Sequence, residues 1–208
     1  MSGMDERGAA LVLALMAVLL LAALGLALVA TATTELTIAS NYRSSQEGFY
    51  AADAAAERAL AELPAVADWN VLFDGSTRST FVDGLPSGVR TLADGSAIDL
   101  TKVVNAANCG KPSGCTAADL TANATGDRPW GVNNPVWRLY AYGRLADLAP
   151  AGTGDSIFYV VAMVASGVGA LALRAEAFGP RGAHKVVELT VGRAENGGVR
   201  TLSWREIR

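Results

Sequence analysis

The sequence is poor in the residues that carry chemistry. Its 208 residues include one histidine and two cysteines, and only 18% are charged, against roughly 25% in an average soluble domain. The one histidine, His184, follows Gly182 in a turn and has no motif partner, so it reads as a surface residue rather than a general base. Two cysteines and a distant histidine fall short of the four ligands a structural zinc ion takes. The charge is balanced, with 17 basic and 20 acidic residues and a net charge of -3, so no polycation is present to displace counterions from nucleic acid.

Phosphate- and calcium-binding motifs are equally incomplete. Gly152-Thr-Gly154 and Gly167-Val-Gly169 lack the P-loop lysine and the full dinucleotide fingerprint. The stretch from Asp119 to Asp127 offers carboxylate and amide oxygens without the EF-hand spacing or its closing glutamate. Asn123-Ala-Thr125 has the form of a glycosylation sequon, but a three-residue match is too common by chance to weigh. No catalytic constellation emerges, and neither a metal nor a cofactor is expected.

What the sequence does have is apolar residues, 51% of the total, and they are concentrated. No charge occurs between Gly8 and Thr34, and the stretch from Ala9 to Ala30 is almost wholly Ala, Leu and Val. As a helix that stretch would be roughly 30 Å long, the hydrocarbon thickness of a bilayer. Ala30-Thr31-Ala32 could serve as a signal-peptidase site. The apolar core is nonetheless longer than a cleaved secretory signal uses, and its basic flank is a single Arg7 beside Asp5 and Glu6.

Residues 35–63 contain no proline and become rich in helix formers in their second half. Ile38, Tyr42, Phe49, Ala52, Ala56, Leu60 and Leu63 recur mostly three, four or seven apart, with Glu47, Asp53, Glu57, Arg58 and Glu62 largely between them. That periodicity predicts an amphipathic helix. Only the isolated Gly25 and Gly48 interrupt the passage from one run to the next, so one helix is expected over 9–63, stopping before Pro64. Residues 9–30 would be its membrane or filament-core part, and 31–63 its amphipathic part. Tyr42, Phe49, Ala56, Leu60 and Leu63 are the residues expected to pack it on a globular head.

These residues also carry a family resemblance. A leader over 1–8 that ends in Gly8, followed by Ala9-Ala10-Leu11-Val12, resembles the class III signal of type IV pilins, and the block from Arg7 to Leu60 is similar to the N-terminal region of PilX-type minor pilins. The closing residues 179–208 also resemble the end of such chains. The resemblance implies cleavage after Gly8 by prepilin peptidase, methylation at Ala9 and no enzymatic activity. One position departs from most pilins: the fifth residue of the mature chain, usually a glutamate that neutralises a neighbour's terminal amine, is Leu13. An amine buried without that partner costs several kcal/mol. A subunit of this kind is expected at a filament tip rather than as a repeating unit.

The rest of the chain divides by composition. Residues 64–135 are rich in Gly, Asn, Thr, Asp and Ser and read as loops with a few short strands or helical turns. Cys109 and Cys115 lie in that region around a Gly/Pro-containing loop that can bring them within disulfide range, which points to an oxidising compartment. Residues 136–208 read as antiparallel strands. Trp137, Leu139, Ala141 and Leu145 alternate with Arg138, Tyr140, Tyr142 and Arg144, the latter expected on a solvated face; Phe158 to Ala165 suits a central strand. Leu171, Leu173, Ala175 and Ala177 predict another strand, and Val187, Leu189 and Val191 a further one, with Gly179–Gly182 and Asn196-Gly197 as hairpin turns.

The expected fold is α+β, a long helix packed on a four- or five-stranded antiparallel sheet in a pilin-like roll. The expected function is that of a type IV minor pilin, inserted in the inner membrane N-in and C-out. It would meet lipid first, then prepilin peptidase, the inner-membrane assembly platform, other minor pilins and the major pilin. Two other roles stay open, a tip pseudopilin of type II secretion and a tip adhesin or anchored periplasmic binding module. Nucleic acid is not an expected partner.

Overall fold

The computed structural model describes residues 5–122, 133–148, 156–167, 169–195 and 197–207. It forms two compact units, Met1–Arg43 and Ser44–Arg208. Helix α1 covers Asp5–Glu62, as the absence of proline before Pro64 predicts. Pro64 ends it in a single 3₁₀ turn, Leu63–Ala65, because proline has no N–H to continue the helical ladder.

In the first unit α1 carries threonines just beyond the apolar run. The hydroxyl of Thr31 donates to the carbonyl of Ala27 at 3.0 Å, Thr34 to Ala30 at 2.9 Å and Thr37 to Thr33 at 2.9 Å. Each hydroxyl thereby finds its acceptor inside the helix.

In the second unit a five-stranded antiparallel sheet runs in sequence order through β3 (Arg138–Arg144), β4 (Tyr159–Ser166), β5 (Leu171–Phe178), β6 (His184–Arg193) and β7 (Val199–Ile207). Both faces of its centre are covered, so β4 is apolar in every position but its last. One face meets the part of α1 that belongs to this unit. The helix contributes Ala51, Ala52, Ala55, Ala56, Ala59 and Leu63, all buried, against Val160, Ala162, Leu173, Ala175, Val187 and Leu189 of the sheet. Small side chains let the helix lie close. At Gly48, an added Cβ would come within 3.1 Å of the Phe158 ring.

The other face is covered by part of the region that composition assigns to loops. A hairpin of β1 (Val89–Thr91) with β2 (Ala97–Asp99) and helix α3 (Leu100–Cys109) occupy it, with α4 (Ala117–Ala122) following α3, whereas the short helix α2 (Asn70–Phe73) sends Leu72 into the helix-side core. Leu92, Leu100, Val103 and Ala107 pack there on Trp137, Leu139, Tyr142, Tyr159, Val161 and Met163. Asp99 caps α3 by accepting from the Thr101 N–H at 2.9 Å, and Gly110 closes the helix at φ 71°. Asn108, itself buried, donates to the Trp137 carbonyl at 3.0 Å and accepts from the Trp137 N–H at 2.7 Å, which pins α3 to the chain entering β3.

This second layer corrects the expectation for β3. Arg138 and Arg144 are exposed, but Tyr140 and Tyr142 are buried. A shift of register between Leu139 and Ala141 places Tyr140 in the helix-side core and Tyr142 in the opposite one. Beyond β3, residues 79–83 line the sheet edge, with the Ser79 and Asp83 N–H groups donating to the carbonyls of Tyr140 and Tyr142, and the Tyr142 N–H to that of Phe81. Asn196 of the last hairpin lies outside the described residues, while Gly197 takes φ 80° as that turn demands.

Where the β5–β6 hairpin meets the helix-side core, a Cβ on Gly179 would stand 2.3 Å from Phe158 Cε1. Gly179→Ala is expected to lower stability by about 1–3 kcal/mol through overpacking. Urea unfolding of the two proteins compares them directly, and equal midpoints would show that Phe158 has room to move.

Candidate assembly surfaces

Residues 8–34 present an unbroken apolar surface. Every large apolar side chain along them is exposed within its unit, Leu13 at 67% and Leu26 at 73% among them. Leaving such side chains in water forgoes about 1.5–3 kcal/mol each. The segment therefore belongs in lipid or among other apolar helices, and its helix is long and apolar enough to cross a membrane. Gly8 and Ala9 are helical and exposed. Among the residues expected to pack on the head, Ala56 and Leu63 are fully buried, while Phe49 and Leu60 are partly buried at the margin of the core. Tyr42 is 67% exposed, and it precedes the second unit, which starts at Ser44.

A polar knot fixes the end of α1. Glu62 Oε1 accepts from Arg58 Nη2 at 2.7 Å and from the Thr80 hydroxyl at 2.7 Å, and Oε2 accepts from the buried Tyr140 hydroxyl at 3.2 Å. Burial acts to raise the Glu62 pKa, but the Ser79 and Thr80 hydroxyls, Arg58 and Tyr140 together hold it below the usual carboxylate value. Burial and the Glu62 charge push the Tyr140 hydroxyl well up.

A second polar system crosses the sheet on the face away from α1. Arg174 Nε donates to Glu176 Oε1 at 2.6 Å and its Nη1 to Glu188 Oε1 at 2.7 Å; Arg205 Nη2 donates to Glu188 Oε2 at 2.6 Å. Arg174–Glu188 and Glu188–Arg205 are directly opposed cross-strand pairs, while Arg174 and Glu176 are two residues apart on β5. His184 differs from the partnerless surface residue that the sequence predicts. Its Nε2 is 2.7 Å from Glu176 Oε2 and its ring stacks on Phe178 at 4.5 Å, because the antiparallel register sets His184 opposite Phe178. The Glu176 side chain is only 4% exposed. Its burial works against ionisation, yet His184 and Arg174 keep its pKa below the ordinary one.

An apolar helix surface with no charge over residues 8–34, and a head in which Glu62, Arg174, Glu176 and Glu188 are held in internal pairs, have the layout of a packing subunit. Residues 7–57, about a quarter of the chain, match the family model described as PilX N-terminal. At its N-terminus the chain is similar to PilX-like type IV pilins. No curated protein and no solved structure matches it.

In this PilX-like chain the residues weighed for chemistry serve structure. Cys109 and Cys115 are bonded, with Cα atoms 5.9 Å apart, and close the turn between α3 and α4. Asp119 accepts from Lys111 Nζ at 2.5 Å and from the Thr116 N–H at 3.0 Å; led by the Lys111 bond, these contacts hold its pKa down to about 2. Asp127, Asn123 to Thr125 and Gly152 to Gly154 lie outside the described residues, as does the middle of Gly167–Gly169. Among the described residues no group of three or more metal-ligating side chains occurs. Sequence reasoning passed over the Glu62 knot and the Arg174 system. The alternation of Arg174 and Glu176 with Glu188 is a visible signal, but the register that pairs them is not.

Removing Arg174 leaves Glu176 buried beside a single partner. Arg174→Ala is expected to cost about 3–5 kcal/mol at pH 7, read by chemical denaturation; a loss below about 1 kcal/mol would mean that water reaches Glu176 after all. The two lowered carboxylates also set a pH dependence. Each contributes stability that is complete above its unfolded pKa of about 4.3 and fades as pH falls through the lower folded value. The thermal midpoint is expected to fall between about pH 5 and pH 2, less steeply for Glu62→Gln than for the parent chain.

Proposed function

We propose that the protein is a minor pilin that joins other minor pilins in a tip complex, primes polymerisation of the major pilin and caps the filament. The observation that carries this reading is Leu13 in an otherwise uninterrupted apolar helix. Where a pilin of the shaft would offer a carboxylate to its neighbour's amine, this chain offers a side chain with no charge. Stacking such a subunit repeatedly would bury one unneutralised amine per contact, a cost of several kcal/mol each. At a tip the cost is met once or not at all.

The sequence of events follows from the same segment. The chain inserts in the inner membrane with its N-terminus inside, prepilin peptidase cuts after Gly8 and Ala9 becomes the methylated first residue. The assembly platform then transfers residues 9–30 from lipid to a bundle of like helices, while the head stays outside the membrane in an oxidising space that suits Cys109–Cys115. Packing stabilises the assembled helices once the leader has been removed, and the head contributes contact surface.

Mass spectrometry of the full-length protein made with and without prepilin peptidase tests this. The expected mature chain starts at Ala9 with one added methyl group and keeps its leader when the peptidase is absent. An intact Met1 in both preparations, or a start at Thr33, would refute it. Leu13→Glu tests the tip role separately. It is expected to let the subunit enter the shaft, seen as an increased ratio of this protein to the major pilin in sheared filaments.

A further inference from the structure

Arg58, Arg90, Lys111, Arg174, Lys185 and Arg205 of the second unit each form an ion pair with an acid of the same unit. Two exposed arginines depart from this pattern at one place. Among the described residues Arg78 holds no hydrogen bond or ion pair, and Arg138 donates only from Nε, to the Phe73 carbonyl at 3.3 Å. The chain path brings these two together. Val82 pairs with Tyr142 in parallel, and the same edge contact opens with the Ser79 N–H donating to the Tyr140 carbonyl. Four residues back from Val82 and Tyr142 stand Arg78 and Arg138, level with each other just before that contact begins. Like charges set opposite one another on neighbouring extended segments are unfavourable, and neither guanidinium can shed its proton.

Both arginines line one cleft of about 340 Å³, at the lower end of the roughly 300–1,000 Å³ that ligand pockets occupy. Its walls include α3 and the loop that leads to β1. Ser87 and Thr101 bring hydroxyls that make no bond among the described residues, and Val104 and Leu139 add apolar surface. The walls are set in advance. Arg90 donates from Nη2 to the Leu85 carbonyl at 2.6 Å and from Nη1 to the Ser87 carbonyl at 3.3 Å, the Tyr142 hydroxyl donates to the Gly84 carbonyl at 2.7 Å, and Asp99 caps α3. Little entropy is left for a ligand to remove. One acid shares the lining, Asp74, whose Oδ1 accepts from the Ser76 N–H at 2.7 Å and which forms no ion pair among the described residues. Two cations against one acid leave a single positive charge, which suits one carboxylate better than a doubly charged phosphate. The lining holds no aromatic ring on which a base could stack. Leu85, 76% exposed, is one residue from Pro86 of the lining and offers the next side chain of a peptide a place to pack.

We propose that this cleft binds the carboxylate of an aspartate or glutamate on an extended acidic segment of a partner protein, held between Arg78 and Arg138. An ionised carboxylate only accepts hydrogen bonds and offers about four lone-pair sites on its two oxygens. Two guanidinium forks and the hydroxyls of Ser87 and Thr101 supply the donors, and bonds of this charge-assisted kind are the strong ones. The methylenes of a glutamate lie against Val104 and Leu139. The bound anion also offsets the repulsion between the two arginines, so the site gains from being filled. Binding uses the head alone and depends neither on cleavage at Gly8 nor on Leu13.

The full-length protein in detergent is immobilised and challenged with two pools of capped pentapeptides, random except for a central glutamate in one and a central glutamine in the other. Retention of the glutamate pool is expected to exceed that of the glutamine pool at least tenfold. Arg78→Gln is expected to remove most of that excess with the thermal midpoint unchanged, since Arg78 bonds to nothing else among the described residues. Arg138→Gln is expected to do the same. Arg200→Gln removes an equal charge from the exposed surface of β7, at the opposite edge of the sheet, and is expected to leave the excess intact. Equal retention of the two pools, an excess that survives Arg78→Gln and Arg138→Gln together, or one that falls as far with Arg200→Gln would overturn the proposal. Displacement of the glutamate pool by inorganic phosphate or glucuronate at a lower concentration than by acetate would also overturn it, in favour of a phosphate or an acidic sugar. None of these outcomes bears on where the mature chain begins, so the pilin reading stands or falls separately.

Discussion

The closeness of α1 to the sheet governs the second unit. Its buried stripe is built from alanines, with Gly48 set close against the Phe158 ring. A helix with leucines in those places would be pushed outward. Large side chains are left for the sheet, where Leu173, Val187 and Leu189 share a core with the helix alanines. The knot at Glu62 belongs to the same constraint. Once the helix lies this near, its last turn reaches Tyr140 and the segment beyond β3, and a carboxylate there can be solvated by Arg58, Thr80 and a tyrosine instead of by water.

The second layer depends on this arrangement in turn. A sheet covered on one face by a single narrow helix would leave Tyr142, Tyr159, Val161 and Met163 in water. Helix α3 and the β1–β2 hairpin cover them, and Asn108 replaces a strand neighbour by offering both a donor and an acceptor to Trp137. The disulfide closes the turn where α3 ends. A region that composition describes as loops is thus half of the core on that side.

How much of this could be read in advance follows from the kind of signal each element leaves. α1 was legible because it is long, free of proline and strongly patterned, and the strands from Phe158 onward because β-branched runs and Gly turns bound them. The cover layer was not legible as a whole, since its elements are three to ten residues long, too short for periodicity to speak. Local signals were present all the same: Asp94-Gly95 as the β1–β2 turn and Asp99 just ahead of Leu100 and Val103 as a helix start. At β3, strict alternation assigned Tyr140 and Tyr142 to solvent, and a single bulge with a second layer reversed it. For the surface chemistry, residue types could be read but partners could not. His184 looked solitary because its partner, Glu176, lies on the preceding strand, and Tyr42 looked like packing because the period continues past the point where the head begins.

The threonines beyond the apolar run change what the helix asks of its surroundings. Thr31, Thr34 and Thr37 satisfy their hydroxyls on carbonyls of the same helix, so none seeks an external partner. A segment with no outstanding polar requirement is indifferent to whether hydrocarbon tails or other helices surround it. Along these turns, what distinguishes one apolar surrounding from another is the fit of leucine and valine side chains against their neighbours.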